Sequence, residues 1–99
     1  MQGVYTLPQL KAVLFPLFDA YGISRAVLFG SYGKGVATER SDVDLLVDSG
    51  LHGLRFVGFQ DAIQCALKKE VDLFDVTHIE SGSPIDREIQ QTGVPFYEK

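Results

Sequence analysis

Two aspartates one residue apart, Asp42 and Asp44, lead into an apolar run, Leu45-Leu46-Val47. Side chains of an extended segment repeat every two residues, so both carboxylates leave the same face and stand side by side. Two neighbouring negative charges at the mouth of an apolar strand repel each other and lose hydration unless a cation neutralises them. Oxygen donors without cysteine or histidine favour magnesium. A third carboxylate, Asp72, begins another apolar run, Val71-Asp72-Leu73-Phe74. Three such groups brought together suit two-metal phosphoryl transfer, in which cations roughly 3.5–4 Å apart stabilise the attacking and leaving oxygens. In that scheme Asp42 and Asp44 bridge two magnesium ions. Asp72 holds the ion that activates an acceptor hydroxyl and can take its proton.

A candidate phosphate cradle precedes the aspartates. The segment Leu28-Phe29-Gly30-Ser31-Tyr32-Gly33-Lys34-Gly35 carries three glycines in six residues directly after an apolar run. Glycine lets the backbone turn sharply and approach a ligand closely, leaving amides to face an anion. The Ser31 hydroxyl can donate to a phosphate oxygen, and Lys34 supplies a point charge. Gly30, Ser31 and Lys34 are therefore the candidate nucleotide-phosphate residues. By itself the segment reads more readily as a tight connection in which Gly30 and Gly35 take positive backbone angles. It matches neither the P-loop nor the dinucleotide-binding glycine pattern.

The elements that must position these groups follow from periodicity and caps. Thr6, Pro8 and Gln9 form a capped start for a helix from Leu7 to Ala20, with Pro16 inside it and Gly22 as its left-handed stop. Arg25 to Phe29 and Val43 to Val47 read as strands. Apolar residues Phe56, Phe59, Ile63 and Leu67 trace one face of a helix over Leu54 to Leu67. Val71 to Val76 is a third strand. Ser83-Pro84 with Asp86 begins a helix that ends at Gly93. Val94 to Tyr97 adds a short closing strand, confined to an edge by Pro95. A crossover helix sets the Asp72 strand parallel to the Asp44 strand, so their starting ends align. An antiparallel first strand finishes at that same end, which brings Ser31 to the carboxylates.

Gly30-Ser31, ten intervening residues, then Asp42-Val43-Asp44 resembles the signature of the DNA polymerase beta nucleotidyltransferase superfamily. Asp72 stands where that family has its third carboxylate. The longer strings Leu28 to Gly35 and Ser41-Asp42-Val43-Asp44-Leu45-Leu46-Val47 resemble the minimal nucleotidyltransferases of prokaryotes, over nearly the whole chain. Gly33 and Lys34 depart from the alanine and arginine common there, and lysine lacks the bidentate contact of arginine. The resemblance implies an α/β (α+β) fold with a small mixed sheet of three to four strands flanked by helices. The order is α-β-(loop or short α)-β-α-β-α. It also implies ATP as the nucleotide, and an antitoxin that transfers AMP to a tyrosine of a HEPN-domain toxin in a hetero-oligomer.

Length and charge narrow the alternatives. Ninety-nine residues suit one domain spanning 1–99. A net charge of −4 argues against autonomous nucleic-acid binding. One cysteine, Cys65, makes no internal disulfide, two histidines complete no zinc site, and no membrane span is visible, which reads as a cytoplasmic protein. Antibiotic nucleotidylation is the weaker enzyme reading, because a second domain usually completes such an acceptor site. A binding-only antitoxin or structural subunit is the alternative of another class. His52 and His78 read as surface positions, and Asp75 as a structural charge. Phe56, Val57 and Phe59 read mainly as core, and Tyr32 either touches the nucleotide or covers the loop.

Overall fold

The computed structural model describes residues 4–99. Helix α1 spans Leu7–Tyr21 and is nucleated by a reciprocal cap. The Gln9 amide donates to Thr6 Oγ1 at 3.2 Å, while the Thr6 amide donates to Gln9 Oε1 at 2.9 Å. Such a cap stabilises a helix end by about 1 kcal/mol. Leu10, Leu14 and Phe18, four residues apart, form its buried stripe, and the helix continues through Pro16 to a left-handed stop at Gly22 with φ 73°.

Strand β1, Arg25–Phe29, follows, then a short helix α2, Gly30–Lys34, where the glycine-rich segment lies. Strand β2 is Val43–Asp48, helix α3 is Leu54–Leu67 and strand β3 is Val71–Asp75. A 3-10 turn, Val76–His78, leads to α4, Pro84–Thr92, and β4, Val94–Glu98. Ser83 caps α4 by accepting from the Asp86 amide at 3.2 Å, and Pro84 fills its first turn.

The sheet order is β3-β2-β1-β4. Strands β1 and β2 are antiparallel, β2 and β3 parallel, and β4 runs antiparallel to β1 at an edge. The bulge between Ala26 and Val27 lies where β4 brings in Pro95, which has no amide to donate. One sheet face carries Ala26, Leu28, Val43, Leu45, Val47, Val71, Leu73 and Phe96. These pack against Leu10, Leu14 and Phe18 of α1 and Phe59, Ile63 and Leu67 of α3. Phe18 sits at the centre, with ring centroids 6.0 Å from Phe59 and 5.1 Å from Tyr97. Each fully buried large side chain contributes roughly 1.5–3 kcal/mol of transfer free energy.

The opposite face has a second buried layer. Phe29 and Leu46 lie there, with Phe29 and Phe74 rings 5.9 Å apart. Asp44 projects from this face, because it alternates with Val43 and Leu45. Both sheet faces are thus covered near β2, which explains why Leu45-Leu46-Val47 reads as a continuous apolar run. Among the described residues no helix is long and apolar enough to cross a membrane.

Candidate active site

Strand register brings the sequence motifs together. Phe29, the residue before Gly30, pairs with Asp44 across the antiparallel ladder, and Asp44 pairs with Asp72 across the parallel one. Three segments distant in sequence therefore meet at one end of the sheet. Asp42 precedes β2 by one residue and is exposed, Asp44 is half-buried, and Asp72 is exposed.

Asp44 is the electrostatic centre. Burial pushes its carboxyl up first, and a hydrogen bond to the Asp72 carboxyl adds to it. The negative charges of Asp72, Glu88 and Asp42 act in the same direction, and together they push Asp44 up to about 7. A cation beside Asp44 would relieve the same repulsion. Among the described residues no three carboxylate, histidine or cysteine side chains form a closed cation cage. Asp44 and Asp72 lie within hydrogen-bonding reach of each other, and Asp42 acts on Asp44 through its charge. An all-carboxylate donor set under mutual repulsion suits a hard divalent cation better than a soft one.

The glycine-rich segment is more specific than a flexible turn. Gly30 has φ 69° and Gly35 φ 76°, so both take the left-handed backbone that a tight connection requires. Gly30 has a further reason to be glycine, since a Cβ there would run into the Asp44 carboxylate. Its amide, expected from sequence to be available to an anion, donates to Thr92 Oγ1 at 2.9 Å and is buried. Ser31 is half-buried at the start of α2, where no side chain caps the helix, and Lys34 is exposed in its last turn. A Cβ at Gly33 would strike the Thr92 carbonyl, so glycine here lets α2 and α4 meet.

Several other residues resolve. Tyr32 is buried in the core cluster and its hydroxyl accepts from the Tyr5 amide at 3.5 Å, so it covers the segment from within. Asp75 is structural. Burial alone would raise its carboxyl, but hydrogen bonds from Ser49 and Thr77 outweigh that and hold it at about 2. The amide and hydroxyl of Ser49 donate to it at 3.1 and 2.6 Å, and those of Thr77 at 3.0 and 2.7 Å. His78 packs edge-on against Phe56 at 5.7 Å, while His52 is exposed. Lys69 donates to the Glu39 carbonyl at 2.9 Å. Phe59 is buried and Phe56 packs against the core, leaving Val57 exposed. Sequence reasoning missed Glu88 and Thr92, both on α4, because neither belongs to a local motif near the aspartates.

The family model described as polymerase beta, nucleotidyltransferase matches residues 14–99. The protein adenylyltransferase MntA of Thermococcus cleftensis is 33% identical over 88 residues, covering 81% of this chain and 87% of that protein. A solved structure named for a minimal nucleotidyltransferase superposes with a TM-score of 0.72 at 26% identity, over 92% of this chain and 96% of the other. A second solved chain shares the fold at a TM-score of 0.72 and 17% identity, over 95% of this chain and 74% of the other. It comes from a complex of tri-AMPylated Shewanella oneidensis HEPN toxin with its MNT antitoxin.

Proposed function

This chain belongs to the polymerase beta nucleotidyltransferases, and from that membership we propose that it transfers AMP from ATP to a protein hydroxyl. The acceptor in this reading is a tyrosine of a HEPN-domain toxin, and the modification makes the chain an antitoxin. The MntA relative is named a protein adenylyltransferase, and the HEPN complex contains a chain of the same fold. A net charge of −4 suits a more basic partner. We read residues 1–99 as one catalytic domain acting in the cytoplasm within a hetero-oligomer.

Asp42, Asp44 and Asp72 are the residues we assign to holding two magnesium ions. When bound, those ions supply Lewis-acid stabilisation of the attacking and leaving oxygens. Asp72 accepts the proton of the acceptor hydroxyl as its oxygen bonds to the α-phosphorus. The bond from that phosphorus to the oxygen bridging the β-phosphate then breaks, releasing pyrophosphate. Ser31 donates to a phosphate oxygen, Lys34 balances phosphate charge, and Gly30 permits close approach.

The observation that carries this reading is the ladder of Phe29 to Asp44 to Asp72, which brings the Gly30-Ser31 turn beside paired carboxylates that repel each other. The test is transfer of label from α-phosphate-labelled ATP with magnesium into a lysate of the source cells. Wild type is compared with Asp42→Asn/Asp44→Asn. Label on one protein band, lost in the variant, is the expected result. Label on RNA redirects the reading to a nucleic-acid acceptor. No label with any of the four nucleotides, from a folded protein, leaves a binding-only antitoxin.

A further inference from the structure

Thr92 lies outside every motif of the sequence and inside the joint that holds the glycine-rich segment against the aspartates. It is buried at the C-terminal end of α4. Its single hydroxyl proton goes to the Glu88 carbonyl at 2.8 Å, one turn back along the helix. The oxygen lone pairs are then free to accept the Gly30 amide at 2.9 Å. No other direction is open, since an amide only donates and a carbonyl only accepts. The far side of Gly30 is packed so closely on the Asp44 carboxylate that a Cβ would not fit. One hydroxyl therefore links α4 to the residue that separates Ser31 from Asp44. A second contact keeps the joint shut, because the Thr92 carbonyl lies where a Gly33 Cβ would be.

We propose that Thr92 is a positioning residue for nucleotidyl transfer. Its hydroxyl fixes the Gly30 amide and thereby the spacing between the phosphate-facing Ser31 and the carboxylate of Asp44. This inference rests on the function proposed above and deepens it. In this role Thr92 needs no contact with nucleotide or acceptor, since its buried hydroxyl is engaged by Gly30 and Glu88. It acts by holding the cradle and the acidic pair in one frame, so that the α-phosphorus lies within reach of the acceptor oxygen whose proton Asp72 takes. Valine has the shape of threonine but can neither accept from Gly30 nor donate to Glu88, whereas serine can do both.

The experiment compares wild type, Thr92→Val and Thr92→Ser in label transfer from α-labelled ATP to lysate protein at varied ATP concentration. Binding of the non-hydrolysable analogue AMP-PNP with magnesium is measured alongside. Thr92→Val is expected to lower the maximal rate at least tenfold while changing AMP-PNP affinity less than threefold. Thr92→Ser is expected to stay within threefold of wild type in both. A wild-type rate in Thr92→Val overturns the inference, and so does a Thr92→Ser rate as low as that of valine. If only the serine variant folds, the hydroxyl serves stability and the positioning role is overturned. An Asp44→Asn control separates the two levels. Transfer retained in that control, or absent from wild type, overturns the reading that this site carries out nucleotidyl transfer. Transfer lost there but unchanged in Thr92→Val overturns the Thr92 role alone.

Discussion

Replacing Asp44 by asparagine should stabilise the cation-free protein at alkaline pH. The asparagine side-chain amide can still donate to the Asp72 carboxylate, so the substitution removes charge and keeps the contact. Asp44 titrates at about 7 in the folded chain, against an ordinary 3.8. Below pH 3.8 the carboxyl is protonated in both folded and unfolded chains, and its effect on stability is nil. Between 3.8 and 7 the unfolded chain ionises while the folded one holds its proton, so folding takes up a proton and stability falls as pH rises. Above 7 the full penalty of an ionised, crowded Asp44 is present. At about 1.4 kcal/mol per tenfold change in proton affinity, the upper limit of that penalty is ~4 kcal/mol. Solvent screening of a half-buried carboxylate reduces it to about 1–2 kcal/mol. For a chain of this size that is roughly 5–10 °C in melting temperature. The assay is thermal unfolding with chelator at pH 4 and pH 8. Asp44→Asn should melt with wild type at pH 4 and above it at pH 8. Magnesium should then raise wild type more than the variant. Equal melting temperatures at pH 8, or a gain of the same size at pH 4, would refute the electrostatic account.

Gly30→Ala should lose activity well beyond its loss of stability, since it strains a backbone at φ 69° by about 1–2 kcal/mol and also pushes on the Asp44 carboxylate; chemical denaturation and label transfer measured on one preparation check this. Asp75→Asn should destabilise the fold by about 2 kcal/mol at pH 7, because the Ser49 and Thr77 donors hold the carboxyl at about 2. The unfolded carboxyl is ionised above 3.8 and the folded one loses its charge only near 2, so the difference between variant and wild type should shrink as pH falls from 4 to 2; urea titrations across that range read it directly. Lys34→Ala should raise the KM for ATP about tenfold with a smaller change in kcat, and Lys34→Arg should keep most of the affinity; a kcat loss without a KM change would remove Lys34 from phosphate binding.

The elements were legible because their signals are local. Thr6 with Gln9, Ser83 with Asp86, and Gly22 each settle within one helical turn, and α3 begins and ends where its apolar spacing predicts. Pro95 on β4 reads as an edge position because a missing amide excludes the middle of a sheet. Even the meeting of Ser31, Asp44 and Asp72 follows from strand direction, since a parallel crossover and an antiparallel neighbour fix which ends coincide.

Contacts that close the site across long separations could not be read this way. The Gly30 amide, available to an anion on sequence grounds, is taken by a hydroxyl 62 residues away. Tyr32 looked equally able to face a ligand or the core until Tyr5 and the core cluster claimed it. Glu88 adds its charge to Asp44 only because α4 packs on α2, and that approach depends on the absence of a side chain at Gly33. The sequence by itself determined the strand pattern, the helix caps and the family, because period, cap and motif spacing act over a few residues. Only the tertiary structure decided which neighbouring charges raise the Asp44 carboxyl and which helix holds Gly30. Those depend on the distance between side chains from separate elements, and that distance is set by packing.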